Sequence, residues 1–255
     1  MITLSAVDQL AETLYPGCRT GRPSPVDGTV AFYRHVVDRL PAGAIVLDFG
    51  AGRGAAFADK RPVATDLVRL RPKLARRIGI DVDPVVHENP GLDEAHVLSE
   101  QNDYRIPLPD ASVDAVIADW VVEHLPNPLT SFAECRRVLK PNGLFAARTS
   151  NRWHYAYAIS WAVGSTILRG LLLRIAQPQR RSDDVFKTHY RANTRRTLRR
   201  LLVDAGFSHV EVVSHEAEPT YLMFSRATLL LGWAYGRLAE RGFLPSACLF
   251  GFARR

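Results

Sequence analysis

The sequence predicts an α/β fold, a doubly wound and mostly parallel sheet. Short apolar, β-forming runs alternate with stretches of helical periodicity along the chain. The first such run, "AIVLDFG", passes directly into the glycine-rich turn "AGRG", the join at which open α/β sheets bind ligands. Proline, glycine and asparagine stop signals then punctuate the helical stretches.

Taken in order, "VAFYRHVVDRL" has apolar residues at helical spacing from Val30 to Leu40 and stops at Pro41. Val46 and Leu47 make the first strand a buried one. "RRIGIDVDP" supplies a second strand that ends at Asp81 and is halted by Pro84, and "AHVLS" a third. "SVDAVIAD", Ser112 to Asp119, is the fourth. It leads to a helix, "PLTSFAECRRVLK", which Pro141-Asn142-Gly143 closes. "LFAARTS" is the fifth strand. After an irregular region at 151–193, "TRRTLRRLLVDAG" is an amphipathic helix with Thr194 as N-cap and Gly206 as stop. "FSHVEVVSHE" and "ACLFGFARR" complete the strands. A length of 255 residues suits one domain over 1–255, with its core at about 28–150 and 194–255 and insertions at about 151–193 and 219–243.

Composition narrows the function. With 47% apolar and 23% charged residues the chain is an ordinary globular one. The N-terminal stretch has acids at Asp8 and Glu12 and lacks a signal-length apolar run, so the expected location is cytoplasmic. Cys18, Cys135 and Cys248 are too scattered for a zinc site or a disulfide framework, and no metal site is expected. Residues 1–150 hold 17 Lys/Arg and 19 Asp/Glu, whereas residues 151–255 hold 16 and 7. That basic surplus suits an anionic surface or substrate. Nucleic acid is not favoured, because no zinc-finger, basic-zipper or RNA-recognition signature accompanies the charge.

The glycine turn reads in two ways. As Gly50-x-Gly52-x-x-Ala55 it is a dinucleotide fingerprint. As Asp48-x-Gly50-x-Gly52-x-Gly54 it places at the strand tip a carboxylate that repels a pyrophosphate but serves a cationic or amine-bearing ligand.

With "VLDFGAGRG", "IGIDVDP", "IPLPDASVDAVIAD", "VVEHLPNP" and "RRVLKPNGLFAART" in this order, residues 28–150 resemble the class I S-adenosylmethionine-dependent methyltransferases that act on small molecules, lipids or sugars. The resemblance implies a Rossmann-like seven-stranded sheet of order 3-2-1-4-5-7-6 with the seventh strand antiparallel, and an α-helical lid or insertion. It implies S-adenosylmethionine as cofactor, held by Asp48, Gly50, Ala51, Gly52 and Gly54 in the loop. Asp81 would receive the ribose hydroxyls beside Val82, Asn102 or Asp103 the adenine, and Asp119 would border the crevice. Gly54 and Asp81 are 27 residues apart, against about 20 for such a loop and its acid, so Asp66 competes for the ribose.

Methyl transfer from a sulfonium needs alignment above all, and a base only where the acceptor must lose a proton. His124, just past the fourth strand, is the candidate base, and a helix-start cap is its structural alternative. The Asp/Asn-Pro-Pro-Tyr type of sequence that presents planar nitrogens is absent there, which favours a hydroxyl of a sugar, glycolipid or secondary metabolite. The acceptor is expected at Asp183–Thr194, with His189, Tyr190 and Arg191 as its contacts, unless that segment merely pins the next helix. "YAYAISWAVGSTIL", Tyr155 to Leu168, is too short to span a bilayer and fits a lid or, with Leu222–Leu238, a peripheral contact on an anionic membrane. The competing readings are an NAD-dependent oxidoreductase and a methyltransferase-like binding protein without turnover.

Overall fold

A computed structural model describes residues 5–18, 24, 26–54, 70, 73–99, 103–157 and 187–255. Its centre is one seven-stranded sheet: β1 Ala44–Phe49, β2 Leu74–Asp81, β3 Glu94–Val97, β4 Val113–Asp119, β5 Leu139–Ser150, β6 Ser208–His215 and β7 Cys248–Arg254. The spatial order is β3-β2-β1-β4-β5-β7-β6. β7 runs antiparallel to both its neighbours, and the other pairs are parallel. The expected topology is therefore the observed one.

Helices cover both faces, which is why β1 and β4 are apolar on both sides. On one face α2, Gly28–Arg39, buries Phe32, Tyr33 and Val36 against Val46, Ile117 and Phe250. On the other, α3, Pro128–Val138, and α4, Arg195–Asp204, bury Phe132, Cys135, Leu198 and Leu202 against Leu47, Val116 and Phe145. Caps set the helix starts: Asp27 accepts from the N–H groups of Thr29 and Val30, and Thr194 from that of Thr197. Gly206, at φ +88°, stops α4 as expected.

Two elements depart from the sequence reading. The helix α3 ends at Val138, not at the Pro-Asn-Gly turn, because Leu139 already pairs with Val113 in the sheet. Pairing resumes at Leu144 opposite Ala115, so Pro141-Asn142-Gly143 is an outward bulge of β5, with Asn142 at φ +61°. A helix that the strand pattern does not announce, α1 at Ala6–Leu14, opens with a capping box from Ser5 and Asp8. It packs Ala11 and Tyr15 on Leu229 of α5, Arg226–Glu240, which occupies the expected insertion before β7. Of the other insertion, residues 151–157 and 187–193 are described; the remainder, with most of the lid or membrane segment from Tyr155 to Leu168, lies outside the described residues.

Candidate functional site

The carboxyl ends of β1, β2 and β4 bring the predicted loop and acids to one edge of the sheet. Past Phe49 the chain turns at once, and the N–H groups of Gly50 and Ala51 donate to the carbonyl of Ile80 at 2.8 and 3.0 Å. Gly52 and Gly54 have φ of +48° and +77°, the left-handed region that favours glycine. At Gly54 a Cβ would lie 2.3 Å from Oδ1 of Asn89. At Gly52 the nearest atom among the described residues is an Asp81 oxygen at 4.0 Å, so no described residue fills this side of the loop.

Asn89, which the sequence reading passed over, clamps the loop. Its Nδ2 donates to the carbonyls of Ala51 and Gly52 at 3.0 and 3.2 Å, while its Oδ1 accepts from the N–H of Gly91 at 2.9 Å. The "NPG" tract was the available signal, since asparagine before proline and glycine marks a structured turn.

Asp81 accepts from the N–H of Gly52 at 2.8 Å through Oδ2 and from that of Asp83 at 2.9 Å through Oδ1. Each oxygen keeps lone-pair capacity for a hydroxyl. Asp48 is 9% exposed, with Nε of Arg77 at 3.7 Å. Burial pushes its carboxyl up to about 6; Arg77 pulls it down, and Asp119 and Asp81 push it up. Both oxygens of Asp119 are taken by Arg148 of β5, at 2.5 Å from Nε and 2.7 Å from Nη2. Arg148 also donates to Thr29 of α2 and lies 5.2 Å from the ring of Trp120, which has φ +60° at the end of β4. Three carboxylates thus gather at this edge over two buried arginines. With Asp119 paired to Arg148 and Arg77 3.7 Å from Asp48, most of that negative charge is balanced within the edge itself.

Beyond Trp120 a 3-10 turn, Val122–His124, holds a buried polar chain. Glu123 accepts from the Thr149 hydroxyl at 2.7 Å, and that hydroxyl accepts from Nδ2 of Asn193 at 2.7 Å. Burial pushes the Glu123 carboxyl up to about 7, against the Thr149 hydrogen bond. Nδ1 of His124 lies 3.0 Å from the carbonyl of Lys187. A carbonyl only accepts, so Nδ1 carries a proton and donates it.

The predicted acceptor segment meets this turn through two backbone N–H groups and the side chain of Arg191. The N–H groups of His189 and Tyr190 donate to the carbonyl of Glu123 at 2.8 and 3.2 Å, and Arg191 donates to that of Pro126. Val82 is 53% exposed next to Asp81. Asp103 is exposed at φ +52°, while Asn102 and Asp66 lie outside the described residues. No group of three or more potential metal ligands occurs among the described residues.

Residues 47–147 match a family model described as a methyltransferase domain. Over 132 residues the chain is 39% identical to a protein of Mycolicibacterium smegmatis named as a probable S-adenosylmethionine-dependent methyltransferase, covering 48% of this chain and 46% of that one. Over 134 residues it is 32% identical to a ubiquinone biosynthesis O-methyltransferase of Maricaulis maris, covering 52% and 50%. The chain thus spans about half the length of these curated relatives. A SAM-dependent methyltransferase structure from Archaeoglobus fulgidus shares the fold, with a TM-score of 0.56 and 17% identity, over 98% of this chain and 100% of that one.

Proposed function

We propose that this chain, which carries a class I S-adenosylmethionine-dependent methyltransferase domain in residues 47–147, transfers a methyl group to a hydroxyl of a small sugar, glycolipid or secondary metabolite. The observation that carries the reading is Asp81 held against the N–H of Gly52, at a glycine whose Cβ side no described residue fills, with Asp48 and Asp119 on the same edge. Asp81 and the loop backbone would hold the adenosyl part and Asp48 the ammonium, with Asn102 or Asp103 at the adenine. Asp119, neutralised by Arg148, supports the crevice wall.

When bound, S-adenosylmethionine supplies a methyl on a sulfonium, an already activated leaving group. What the chain must add is alignment and an outlet for the acceptor's proton. His124 is the base we favour, because it lies just past the carboxyl end of β4 with its ring fixed by the Lys187 carbonyl at 3.0 Å. His189, Tyr190 and Arg191 are the acceptor contacts we favour, beside that base. A relative named as an O-methyltransferase supports a hydroxyl acceptor, as does the sequence after β4. The basic second half suggests a partner with an anionic surface, contacted peripherally: no helix among the described residues is long and apolar enough to cross a membrane.

Calorimetric titration with S-adenosylhomocysteine and with NAD tests the donor, and mass spectrometry of lipid and polar extracts incubated with labelled methyl donor tests the acceptor. Saturable S-adenosylhomocysteine binding and a labelled hydroxyl product are expected. Tight NAD binding without a response to S-adenosylhomocysteine overturns the reading.

A further inference from the structure

Helix α5 is amphipathic in the reverse of the usual sense. Its buried residues, apart from Leu229, are Gly232, Gly236 and Ala239. The small side is a packing requirement: a Cβ at Gly232 would stand 2.6 Å from Pro219. The large apolar side chains point away from the protein, with Leu230 46%, Leu231 68% and Leu238 42% exposed. Phe224 before the helix and Phe243 after it are 61% and 75% exposed. Globular helices turn such residues inward, and a contiguous outward set marks an interaction surface.

The charges around this face select the partner. Arg226, Arg237 and Arg241 are exposed on α5 or at its C-cap, and among the described residues only Arg237 has a carboxylate, Glu240, at 2.9 Å. Arg226 sits in the first turn, where the helix dipole disfavours a cation, and no ion pair among the described residues compensates it. Leucines and phenylalanines flanked by arginines match the acyl boundary and headgroup layer of an anionic bilayer. The position matches as well. α5 lies between β6 and β7, which meet at His215 and Cys248, and Cys248 pairs with Ser150 at the carboxyl end of β5. This is the edge that carries Asp48, Asp81 and Asp119.

We propose that the outward face of α5, with Phe224 and Phe243, docks on an anionic lipid bilayer and sets the crevice edge towards the membrane, where it takes an acceptor carried by lipid. The acceptor part of this inference rests on the methyl-transfer reading above; the docking part does not.

The test is co-sedimentation of the full chain with vesicles of equal phosphatidylglycerol and phosphatidylcholine, and with phosphatidylcholine alone, at low and high salt. Binding to the anionic vesicles, weakened by salt and much weaker on phosphatidylcholine, is expected. Removing two arginines in Arg226→Gln/Arg241→Gln should weaken it about 30-fold, at roughly one surface charge's worth each. Leu231→Asp/Phe243→Asp should abolish it. Melting temperature and S-adenosylhomocysteine affinity, measured on each variant, should stay at parental values, so that failure of docking is distinguished from failure of the fold or of the donor site. No sedimentation by the parent, or equal sedimentation by parent and variants, overturns the proposal. So does a parent dimer that Leu231→Asp dissociates while vesicles bind neither form.

Discussion

Arg148 and Asp119 form a two-pronged ion pair between the adjacent ends of β5 and β4, with the arginine 4% exposed. Removing one partner of a buried pair leaves the other charged and desolvated, which typically costs about 3–5 kcal/mol. Arg148→Leu should lose that much in urea unfolding, and Arg148→Leu/Asp119→Leu should recover a large part. If the single variant loses less than about 1 kcal/mol, the pair does not hold the two strands together.

Asp81 serves the loop and, in our reading, the donor. Asp81→Ala should weaken S-adenosylhomocysteine binding at least tenfold, given about 1.5–3 kcal/mol for a hydrogen bond to a charged group. Titration of Asp66→Ala beside it decides between the two acids: an unchanged Asp81→Ala with a large loss in Asp66→Ala would reverse the assignment.

Gly54→Ala places a methyl carbon 2.3 Å from Asn89 at a positive φ, so the clamp must shift. Strain of this kind costs on the order of 1–3 kcal/mol. The melting temperature and donor affinity should fall together, and Asn89→Ala should lower donor affinity by releasing the loop carbonyls. Parental affinity in a folded Asn89→Ala protein would show that the loop holds its shape unaided.

Glu123 makes stability depend on pH. Its carboxyl rises from the ordinary 4.5 to about 7 in the folded protein, so between these values the native state holds a proton that the unfolded chain has released. This contribution is present below pH 4.5 and is lost as pH rises to 7, with a size on the order of 3 kcal/mol. Urea unfolding at closely spaced pH values should show the decline, and Glu123→Gln should flatten it. Identical slopes for the two proteins would place the pH dependence in other groups.

If His124 takes the acceptor's proton, His124→Ala should lower kcat by about 10²–10⁴ and leave donor affinity almost intact. The acidic limb of the pH–rate profile should disappear with it. Turnover within about threefold of the parent would return His124 to its role as a ligand of the Lys187 carbonyl.

The parts of the fold legible in the sequence are those set by local chemistry. Alternating apolar runs located the strands, Thr194 and Gly206 bounded α4, and the glycines marked the loop. The order of the strands followed only from the resemblance of several motifs at once. What escaped were long-range partnerships. Arg148 is one charged residue inside "LFAARTS", and nothing local says that it faces a carboxylate 29 positions earlier. Asn89 looks like any turn residue until the loop 38 positions before it is brought alongside. Pro141-Asn142-Gly143 carries the chemistry of a helix stop, yet the sheet claims Leu139 first. α5 is concealed for another reason: with its small residues inward, its periodicity points to the wrong face.

The place of β7 has a consequence for how the chain is made. Among the described residues β6 touches the sheet only through β7, which lies between it and β5. During synthesis from the N-terminus, β6 and the leucine-faced α5 therefore leave the ribosome before the strand that gives β6 a neighbour. Until residues 248–254 emerge, the nascent chain carries an unpaired edge on β5, an orphan β6 and the exposed leucines together, a combination prone to association with other chains. Pairing of β7 closes the sheet in a single late step, and products that stop short of residue 248 should be the species that chaperones and proteases meet.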